Sequence, residues 1–417
     1  MENRNSTQTR ALLKEAFLAG VAAADPAQAV RRALADEPLE RGGQWHIIAL
    51  GKAAPAMAQA ALEIIPSAPA LVVTNHENAG PVSGAVVYAA GHPVPDEPGL
   101  LAGQAVLAKL DKLGVSDRLL ALISGGASAL VPTPAPGLTL ADKMAVHAQL
   151  LVSGLDITAM NLVRQNLSEL KGGGLLRHAE PASVRSLILS DVLGDDLRAI
   201  GSGPSVGPIG SASDARALLQ DAGLWPDLPQ AVKDVLSQDV TQAPLPPSTA
   251  TLIGSNRLSL SAMAEAAGAK ISPADLVGDV ADAAAQIVAE AQTLRPGTAL
   301  AFGGETTVKL TGEGLGGRNQ ELALRVASEA AAQGLDGPWW FLSGGTDGRD
   351  GPTDAAGGLV DHKTLDRLSS AGQRIEDVLA DNASYNALKA TDDLLVTGPT
   401  GTNVADLQLF LRGPYPG

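Results

Sequence analysis

A glycine-rich turn that ends in an arginine is the first place where this sequence suggests chemistry. The stretch TVKLTGEGLGGRNQE (307–321) carries the spacing G-x-G-x-x-G over residues 312–317, after an apolar run and before a helical pattern. In dinucleotide-binding folds this spacing is accompanied by an acidic residue about 20 residues further on, at the end of the next strand. Here Asp336 precedes the next apolar run, and the first acid after that run, Asp347, is too distant. The turn therefore fits a dinucleotide poorly.

A phosphate group suits the same turn better. Glycines at a helix start offer several backbone N–H groups and the positive end of the helix dipole. We therefore predict that Gly314, Gly316 and Gly317 contact phosphate. Arg318 adds a planar fork of donors that matches a phosphoryl group. The alternative is that Arg318 is solvated or forms a salt bridge with Glu321.

A lone lysine stands at the start of another helical pattern. In IIALGKAAPAMAQAALEII (47–65), Lys52 lies between an apolar run and an apolar helix, and no other charge follows until Glu63. A cation at the positive end of a helix is unfavourable for stability. We therefore interpret Lys52 as a ligand for a phosphate or for a transition state, the alternative being a merely exposed lysine.

The segment SGGAS (124–128) ends another apolar run with two hydroxyls and two glycines. We predict that Ser124, Gly125, Gly126 and Ser128 contact phosphate or nucleotide; the alternative is a tight turn with no ligand. The sequence contains no G-x-x-x-x-G-K-[ST] loop, no G-x-S-x-G elbow and no H-x-x-x-H pair. A common P-loop, an elbow-type serine hydrolase and a zinc site are therefore not indicated.

Three carboxylates in the polar turns that follow apolar runs are candidate metal ligands. Asp191 follows SLILS, Glu305 follows Gly303-Gly304, and Asp347 lies in SGGTDGRDGPTDAAGG. Oxygen ligands on loops suit Mg²⁺, which usually keeps waters and bridges to substrate phosphates. The alternative is that these residues are turn and cap residues, as aspartates in Gly/Pro-rich loops usually are.

Weaker signals point to residues that could contact a substrate other than the phosphate-bearing one. We predict that His92 in GHPVPDEPG, Lys171 in RQNLSELKGGG and Asn319 in GGRNQE contact it. His92 could instead only fill space. Lys171 also fits the end of a helix closed by glycine, although Lys171 or Arg164 could hold a carboxylate.

Most of these residues end apolar runs that alternate with Ala/Leu-rich amphipathic stretches. The runs are WHIIALGK (45–52), ALVVTNHE (70–77), LLALISGGAS (119–128), VRSLILSDVLGDD (184–196), TATLIGSNR (249–257), TALAFGGETT (298–307), WWFLSGGTDG (339–348) and LLVTGPTGTN (394–403). This alternation predicts βα units and a largely parallel sheet. Loops at the carboxyl ends of such strands form the ligand crevice, so we expect the candidate residues to converge there.

Length and composition define the setting. A chain of 417 residues suits two domains, and a Pro- and Asp-rich segment (221–248) divides them into 1–240 and 249–417. The helical N-terminal residues could pack on either domain, which leaves a discontinuous division open. The absence of cysteine excludes disulfides and thiolate chemistry, and the net charge of −15 argues against nucleic-acid or anionic-membrane partners. A polar N-terminus and the lack of an apolar run of eighteen residues lead us to expect a cytoplasmic protein.

Taken together, the motifs resemble one family, the class II glycerate kinases with a C-terminal MOFRL domain. The resemblance covers the chain from about residue 10 to about residue 412. The matching motifs are, in order, LGKAAPAMA, GHPVPDE, ISGGASAL, LSELKGGGL, SDVLGDDLRAIGSGP, GGETTVKLTGEGLGGRNQELAL, SGGTDGRDGPTDAAG and TGPTGTNVADL. The resemblance implies a large Rossmann-like α/β/α N-terminal domain and a smaller α/β domain, with the active site between them. It also implies phosphorylation of D-glycerate at its 2-hydroxyl, dependent on ATP and Mg²⁺.

The resemblance also implies roles for residues. Lys52 and Arg318 match the family's proposed catalytic lysine and arginine, and we expect them to stabilise charge on the γ-phosphoryl group. Asp191 would orient or deprotonate the 2-hydroxyl, or bind Mg²⁺. Some members are named hydroxypyruvate reductase, so an NAD(P)H-dependent reductase is the enzymatic alternative, and a non-catalytic two-domain binding protein is the other. The oligomeric state is open, with a homodimer as one expectation.

Overall fold

A computed structural model describes residues 2–238 and 243–413, with side chains from Ser6 onward. The helices are α1 (Glu2–Ala23), α2 (Pro26–Asp36), α3 (Ala54–Ile64), α4 (Glu97–Leu110), α5 (Ala127–Leu130), α6 (Leu140–Val152), α7 (Ile157–Asn166), α8 (Gly174–Ala179), α9 (Ala212–Asp221), α10 (Gln230–Leu236), α11 (Asn256–Ala266), α12 (Val280–Gln292), α13 (Arg318–Ala332), α14 (Thr364–Ser370), α15 (Ile375–Ala380) and α16 (Ser384–Ala390). The strands are β1 (Gln44–Leu50), β2 (Ala70–Asn75), β3 (Ala85–Ala90), β4 (Asp117–Ile123), β5 (Ser183–Leu189), β6 (Ser248–Gly254), β7 (Lys270–Ile271), β8 (Leu276–Asp279), β9 (Thr298–Thr307), β10 (Trp339–Gly345), β11 (Gly357–Asp361), β12 (Leu394–Leu395) and β13 (Asp406–Arg412). Short 3₁₀ turns occupy His76–Asn78, Ile200–Ser202 and Trp225–Asp227.

The chain forms two compact units. We call Pro26–Ile253 the N-terminal unit, and Met1–Asp25 with Gly254–Gly417 the C-terminal unit. This division departs from the expected boundaries 1–240 and 249–417 and takes the discontinuous form that the sequence left open, because α1 packs on α11. Phe17 of α1 is fully buried, and Gly20 approaches the carbonyl oxygen of Ser259 so closely that a Cβ there would lie 2.9 Å from it. Burial of its apolar face therefore assigns α1 to the C-terminal unit.

The sheet of the N-terminal unit has the strand order β3-β2-β1-β4-β5-β6. The pairs from β3 to β5 are parallel, as the alternating pattern predicts, and Leu50 of β1 lies opposite Ile123 of β4. The order is that of doubly wound dinucleotide-binding folds, and it reverses between β1 and β4. Ligands bind outside the carboxyl ends of the strands at such a switch point. The exits of β1 and β4 are therefore the expected site.

Aliphatic side chains build the core around this sheet. Strands β1 and β4 end in fully buried runs, IIAL (47–50) and LLALI (119–123), because helices cover both faces of an internal parallel strand. Polar residues begin the flanking helices. Asp96 accepts a hydrogen bond from the N–H of Gly99 at 2.8 Å to start α4, and Thr139 forms a capping box at α6.

The sheet of the C-terminal unit is mixed. Its order is β12-β11-β10-β13-β9-β7, with β8 also on β9, and only β7 and β8 run parallel to their neighbour β9. The expected largely parallel sheet therefore holds for the N-terminal unit alone. Strand β13 inserts antiparallel between β9 and β10, and β11 and β12 add two further antiparallel pairs at the edge. The run 394–403, expected to be a strand exit, supplies only the two-residue β12.

The α/β prediction is nevertheless confirmed, with the larger unit Rossmann-like in its strand order. Within the described residues, every helix is too short or too polar to cross a membrane.

Candidate functional site

The turns after β1 and β4 are bonded to each other at the switch point of the N-terminal unit. The N–H of Lys52 donates to the carbonyl oxygen of Gly125 at 2.9 Å, and the N–H of Ala53 donates to Oγ of Ser124 at 3.1 Å. Ser124 itself is buried. Its hydroxyl therefore fixes the lysine-bearing turn relative to SGGAS.

The paired glycines of SGGAS bring three predicted side chains together. A Cβ on Gly125 would overlap the carboxylate of Asp191. A Cβ on Gly126, which has φ +83°, would lie 3.1 Å from Cδ2 of His92 and 3.2 Å from Cγ of Lys52. We call Lys52, His92, Ser124, Gly125, Gly126 and Asp191 the strand-exit site. Four strands contribute to it, because His92 follows β3 and Asp191 follows β5.

Burial and charge favour the neutral form of the imidazole at this site. Burial lowers the pKa of His92, the positive charge of Lys52 lowers it further, and the charge of Glu77 opposes both. A neutral His92 can offer a hydrogen bond without adding a second cation. The carbonyl oxygen of Lys52 accepts from Thr74 and Asn78, which holds the backbone of the turn.

Lys171 lies beneath SGGAS and not at an exposed helix end. Its side chain is buried, and its Nζ donates to the carbonyl oxygen of Ser128 at 2.8 Å. Oγ of Ser128 lies 2.9 Å from Oγ of Ser202. Burial lowers the pKa of Lys171 to about 7, and the charge of Arg164 contributes in the same direction. A contact between Lys171 and substrate stays a prediction.

Arg318 is the centre of a second polar group, in the C-terminal unit. Its Nε and Nη2 donate to the two carboxylate oxygens of Asp406 at 2.7 and 3.0 Å, and Nη1 lies 2.8 Å from Glu305. We call Glu305, Arg318, Asp350 and Asp406 the arginine site. The expected alternative, a salt bridge from Arg318 to Glu321, is wrong, because Glu321 pairs with Arg325 at 2.7 Å.

Burial and ion pairing act in opposite directions on the pKa values of Arg318 and Asp406. Burial lowers the pKa of Arg318, but the hydrogen bonds and charge of Asp406, with Glu305 and Asp350, raise it above its usual range. Full burial raises the pKa of Asp406 to about 6 even though Arg318 counteracts it, and the charge of Asp350 adds to the rise. The guanidinium therefore stays charged, while its carboxylate partner resists ionisation.

The helix start that was predicted to bind phosphate is occupied by the protein itself. The N–H groups of Asn319 and Gln320 donate to the carboxylate of Asp350 at 3.1 and 2.9 Å. Asp350 thus stands where the phosphate was expected, and burial raises its pKa while these N–H groups and Arg318 lower it. Two of the helix N–H donors that a dinucleotide pyrophosphate would use are therefore bonded to Asp350.

Packing explains the glycines of this turn. A Cβ on Gly314 would overlap the backbone of Asp381, one on Gly316 would overlap Oγ of Ser384, and one on Gly317 would overlap Asp350. Packing alone thus requires glycine at these positions, and phosphate binding by Gly314, Gly316 and Gly317 stays a prediction. They are glycines because the chain approaches itself closely.

Asn319 is buried inside the C-terminal unit. It is only 1% exposed; its Oδ1 accepts from Oγ of Ser343 at 2.6 Å, and its Nδ2 reaches Asp350 at 3.4 Å. Both ends of the amide are used inside the unit, and a contact between Asn319 and substrate stays a prediction.

The candidate metal ligands are not preassembled. Glu305 is exposed but paired with Arg318, while Oδ1 of Asp347 accepts from the N–H of Arg349 at 3.0 Å, as in the turn alternative. Asp191 belongs to the N-terminal unit. Across residues 2–238 and 243–413, no three His, Asp or Glu side chains are grouped to hold a metal. Metal binding by Asp191, Glu305 or Asp347 stays a prediction.

Sequence reasoning missed Asp406 as a site residue. It lies in NVADL, where a buried strand begins, and nothing in its local pattern separates it from an ordinary loop aspartate. Only the strand pairing that places β13 beside β9 brings it to Arg318.

Comparison with known proteins identifies the family. Residues 12–237 match a domain of unknown function, DUF4147, and residues 298–406 match the MOFRL family. The chain is 39% identical to a D-glycerate 2-kinase of Thermotoga maritima, over 93% of this chain and 94% of that protein. The chain belongs to the glycerate kinase family.

Other relatives carry two kinds of name. A glycerate 2-kinase of Pyrococcus horikoshii is 37% identical over 94% of each chain. A putative hydroxypyruvate reductase of Agrobacterium vitis is 39% identical over 98% of this chain and 96% of that one. The crystal structure of a glycerate kinase from Thermotoga maritima matches with a TM-score of 0.90 and 37% identity, over 97% of this chain and all of that chain.

Proposed function

We propose that this glycerate kinase family member is an ATP-dependent glycerate 2-kinase, which converts D-glycerate to 2-phosphoglycerate. The observation that carries the proposal is Lys52 at the switch point, bonded to the glycine turn of SGGAS, against which Asp191 also packs. Phosphoryl transfer requires positioned charge more than covalent chemistry, and these groups supply it. The Thermotoga maritima relative named D-glycerate 2-kinase supports the substrate.

We assign charge stabilisation on the γ-phosphoryl group to Lys52 and Arg318. Lys52 is half-buried on a turn held by hydrogen bonds, and Arg318 is fixed by two carboxylates, so neither needs to reorganise during reaction. Asp191, packed against Gly125, is assigned to the 2-hydroxyl as its orienting group or base. The turn at Ser124, Gly125 and Gly126 is assigned to phosphate.

The accessible carboxylates fit Mg²⁺ one at a time. Mg²⁺ usually takes one or two protein carboxylates and completes its shell with water and substrate phosphate. Glu305 is exposed, and Asp191 and Asp347 are partly exposed, so each could serve as such a ligand. When bound, Mg²⁺ would neutralise phosphate charge. The proposal includes dependence on Mg²⁺, action in the cytoplasm, where ATP is made, and assembly as a homodimer.

The second candidate is an NAD(P)H-dependent hydroxypyruvate reductase, favoured by the name of the Agrobacterium vitis relative. Two observations argue against it. The turn after β1 reads GKAAPA and lacks the glycine fingerprint that a dinucleotide needs at this position of the fold. The other glycine-rich turn has its helix N–H groups bonded to Asp350.

A paired assay on the purified protein distinguishes the candidates. One reaction contains ATP, Mg²⁺ and D-glycerate, and the other contains NADH or NADPH with hydroxypyruvate. We expect 2-phosphoglycerate, identified against the 3-isomer, and no nicotinamide oxidation. Nicotinamide oxidation without phosphoryl transfer would refute the kinase proposal.

Replacement of Arg318 tests its assigned role. We expect Arg318→Ala to lower kcat about 10³-fold or more, as loss of a charge-stabilising arginine does in phosphoryl transfer. Arg325→Ala is the matched control, because Arg325 lies on the same helix and pairs with Glu321 instead. Near wild-type turnover in Arg318→Ala would remove Arg318 from the mechanism.

A further inference from the structure

Four basic side chains of the N-terminal unit gather next to SGGAS without an ion pair among the described residues. We call Lys143, His147, Arg164 and Lys171 the basic cluster. Nζ of Lys143 donates to the carbonyl oxygens of Pro132 and Leu167 at 2.5 and 3.0 Å. Nη2 of Arg164 contacts Nδ1 of His147 at 3.2 Å, and Lys171 donates to the carbonyl oxygen of Ser128. The hydrogen-bond partners are therefore neutral.

The members of the cluster repel one another electrostatically. Burial lowers the pKa of Lys143, and the charges of Lys171 and Arg164 lower it further. Burial also lowers the pKa of His147, with added contributions from Arg164 and then Lys171. The charges that shift these groups are thus all positive. Buried like charges are unfavourable unless an anion joins them.

Arg164 has donor capacity left over. Its Nε is buried and has no hydrogen-bond partner within the described parts of the chain. Burial lowers the pKa of Arg164, yet a guanidinium remains charged at every physiological pH. A buried charged donor without an acceptor is costly, and a ligand oxygen would satisfy it.

Hydrogen bonds join this cluster to the strand-exit site. Asn161 lies one turn before Arg164 on α7 and accepts from Oγ of Ser202 at 2.9 Å. Ser202 in turn contacts Oγ of Ser128, whose carbonyl oxygen accepts from Lys171. Ser128 and Gly126 belong to the same turn, and Gly126 packs on Lys52. A ligand at the cluster would therefore lie near the reacting groups.

We propose that the basic cluster binds the carboxylate of the hydroxy acid, with Arg164 as the contacting residue and Lys171 and Lys143 as positioning residues. This inference rests on the proposed function. The planar fork of arginine matches a carboxylate in two parallel hydrogen bonds. The charge also matches. Arg164 carries one full charge and Lys171, with a pKa of about 7, carries part of another at neutral pH.

Calorimetric titration with D-glycerate, in the absence of ATP, tests the contact. We expect Arg164→Met to bind at least about 30-fold more weakly than wild type, as truncation of one partner of a buried charged pair does. Arg164→Lys should recover only part of the affinity, because it keeps the charge and loses the fork. Arg31→Met is the matched control, since Arg31 forms an exposed ion pair with Glu63 in the same unit. Wild-type affinity in Arg164→Met would overturn the proposal.

A stability measurement excludes a purely structural explanation. Removing one of several buried like charges should leave the melting temperature of Arg164→Met equal to or above that of wild type. D-Glycerate should raise the melting temperature of wild type more than that of the variant, by mass action. A variant that melts earlier, with an undiminished shift on adding D-glycerate, would show that Arg164 serves the fold and contradict the proposal.

Proton uptake tests Lys171 separately. The basic groups acting on Lys171 come from α6 and α7, so an entering anion should raise its proton affinity. At pH 7.5, titrations in buffers of different ionisation enthalpy should show proton uptake on binding by wild type and less uptake by Lys171→Met, in which only Lys143 and His147 of the cluster can still gain a proton. Equal uptake in both proteins would overturn the positioning role.

Further binding measurements distinguish the carboxylate proposal from the alternatives. If Arg164→Met loses a non-hydrolysable ATP analogue and retains D-glycerate, the cluster binds nucleotide phosphate and the carboxylate proposal fails. If wild type binds neither D-glycerate nor 2-phosphoglycerate, it also fails. If wild type binds D-glycerate through Arg164 but makes no 2-phosphoglycerate from ATP, only the kinase proposal fails.

Discussion

Replacement of Asp406 by asparagine should separate the stability of the C-terminal unit from its catalytic role. Asp406 has a fully buried carboxylate that holds Arg318 through two hydrogen bonds of 2.7 and 3.0 Å. Asparagine has nearly the same shape but no charge, and it can accept from the guanidinium with only one oxygen. The substitution therefore loosens Arg318 without creating a cavity.

The raised pKa of Asp406 sets the size of the stability effect. The pKa of about 6, against an ordinary value of 3.8, corresponds to about 3 kcal/mol at about 1.4 kcal/mol per pKa unit. The folded protein therefore holds the ionised carboxylate at a cost, despite Arg318. Losing one partner of a typical buried ion pair costs about 3–5 kcal/mol. The side chain of Arg318 is 34% exposed and keeps its ion pair with Glu305. We therefore expect the free energy of unfolding of Asp406→Asn to lie within about 2 kcal/mol of that of wild type at pH 7.5.

The pH dependence of this difference has a definite sign. Between pH 3.8 and about 6 the folded protein binds a proton at Asp406 that the unfolded chain has released. The stability contributed by this group is therefore present at low pH and is lost as pH rises through that window. The Asp406→Asn variant has no ionisable group at this position, so it does not show this pH dependence. Wild type should lose up to about 3 kcal/mol relative to the variant between pH 4 and pH 7.

Urea denaturation at several pH values measures the difference, and steady-state kinetics measures the function. We expect kcat to fall about 100-fold, since small misplacements of a catalytic group have effects of that size. Asp354→Asn serves as the control, because Asp354 is exposed and accepts a hydrogen bond from Oη of Tyr385 at 2.7 Å. The reasoning is refuted if Asp406→Asn lowers the free energy of unfolding by more than about 3 kcal/mol at pH 7.5. It is also refuted if the variant retains full turnover and its difference in stability from wild type does not change with pH.

Other substitutions test the strand-exit site and the cap of α13. Lys52→Met should lower kcat by at least about 100-fold, which steady-state kinetics measures. It should not lower the melting temperature, because Lys52 is a half-buried cation at a helix start, where a positive charge is unfavourable. Gly125→Ala should also lower kcat, since its Cβ would displace the carboxylate of Asp191, whereas Gly80→Ala, which meets nothing within 4 Å, should not. Asp350→Ala should reduce the free energy of unfolding by about 1–3 kcal/mol, because two helix N–H groups lose their acceptor; an unchanged urea midpoint would contradict the capping role.

The sequence by itself determined the α/β class, the parallel sheet of the N-terminal unit and the convergence of residues at its switch point. Apolar runs ending in Gly, Ser or Lys are local signals, and parallel strands bring their exits to one edge whatever the distant contacts. This is why Lys52, Gly125, Gly126 and Asp191, predicted separately, meet in the structure.

Tertiary structure decided the rest. The turn at 312–317 has the local pattern of an anion site, but Asp350 fills the helix start and the chain packs against the glycines. Asp406 reaches Arg318 only because β13 pairs antiparallel with β9. Local sequence specifies which donors a segment offers. Which acceptor meets them depends on strand order and packing between segments distant along the chain, and no local pattern encodes those contacts.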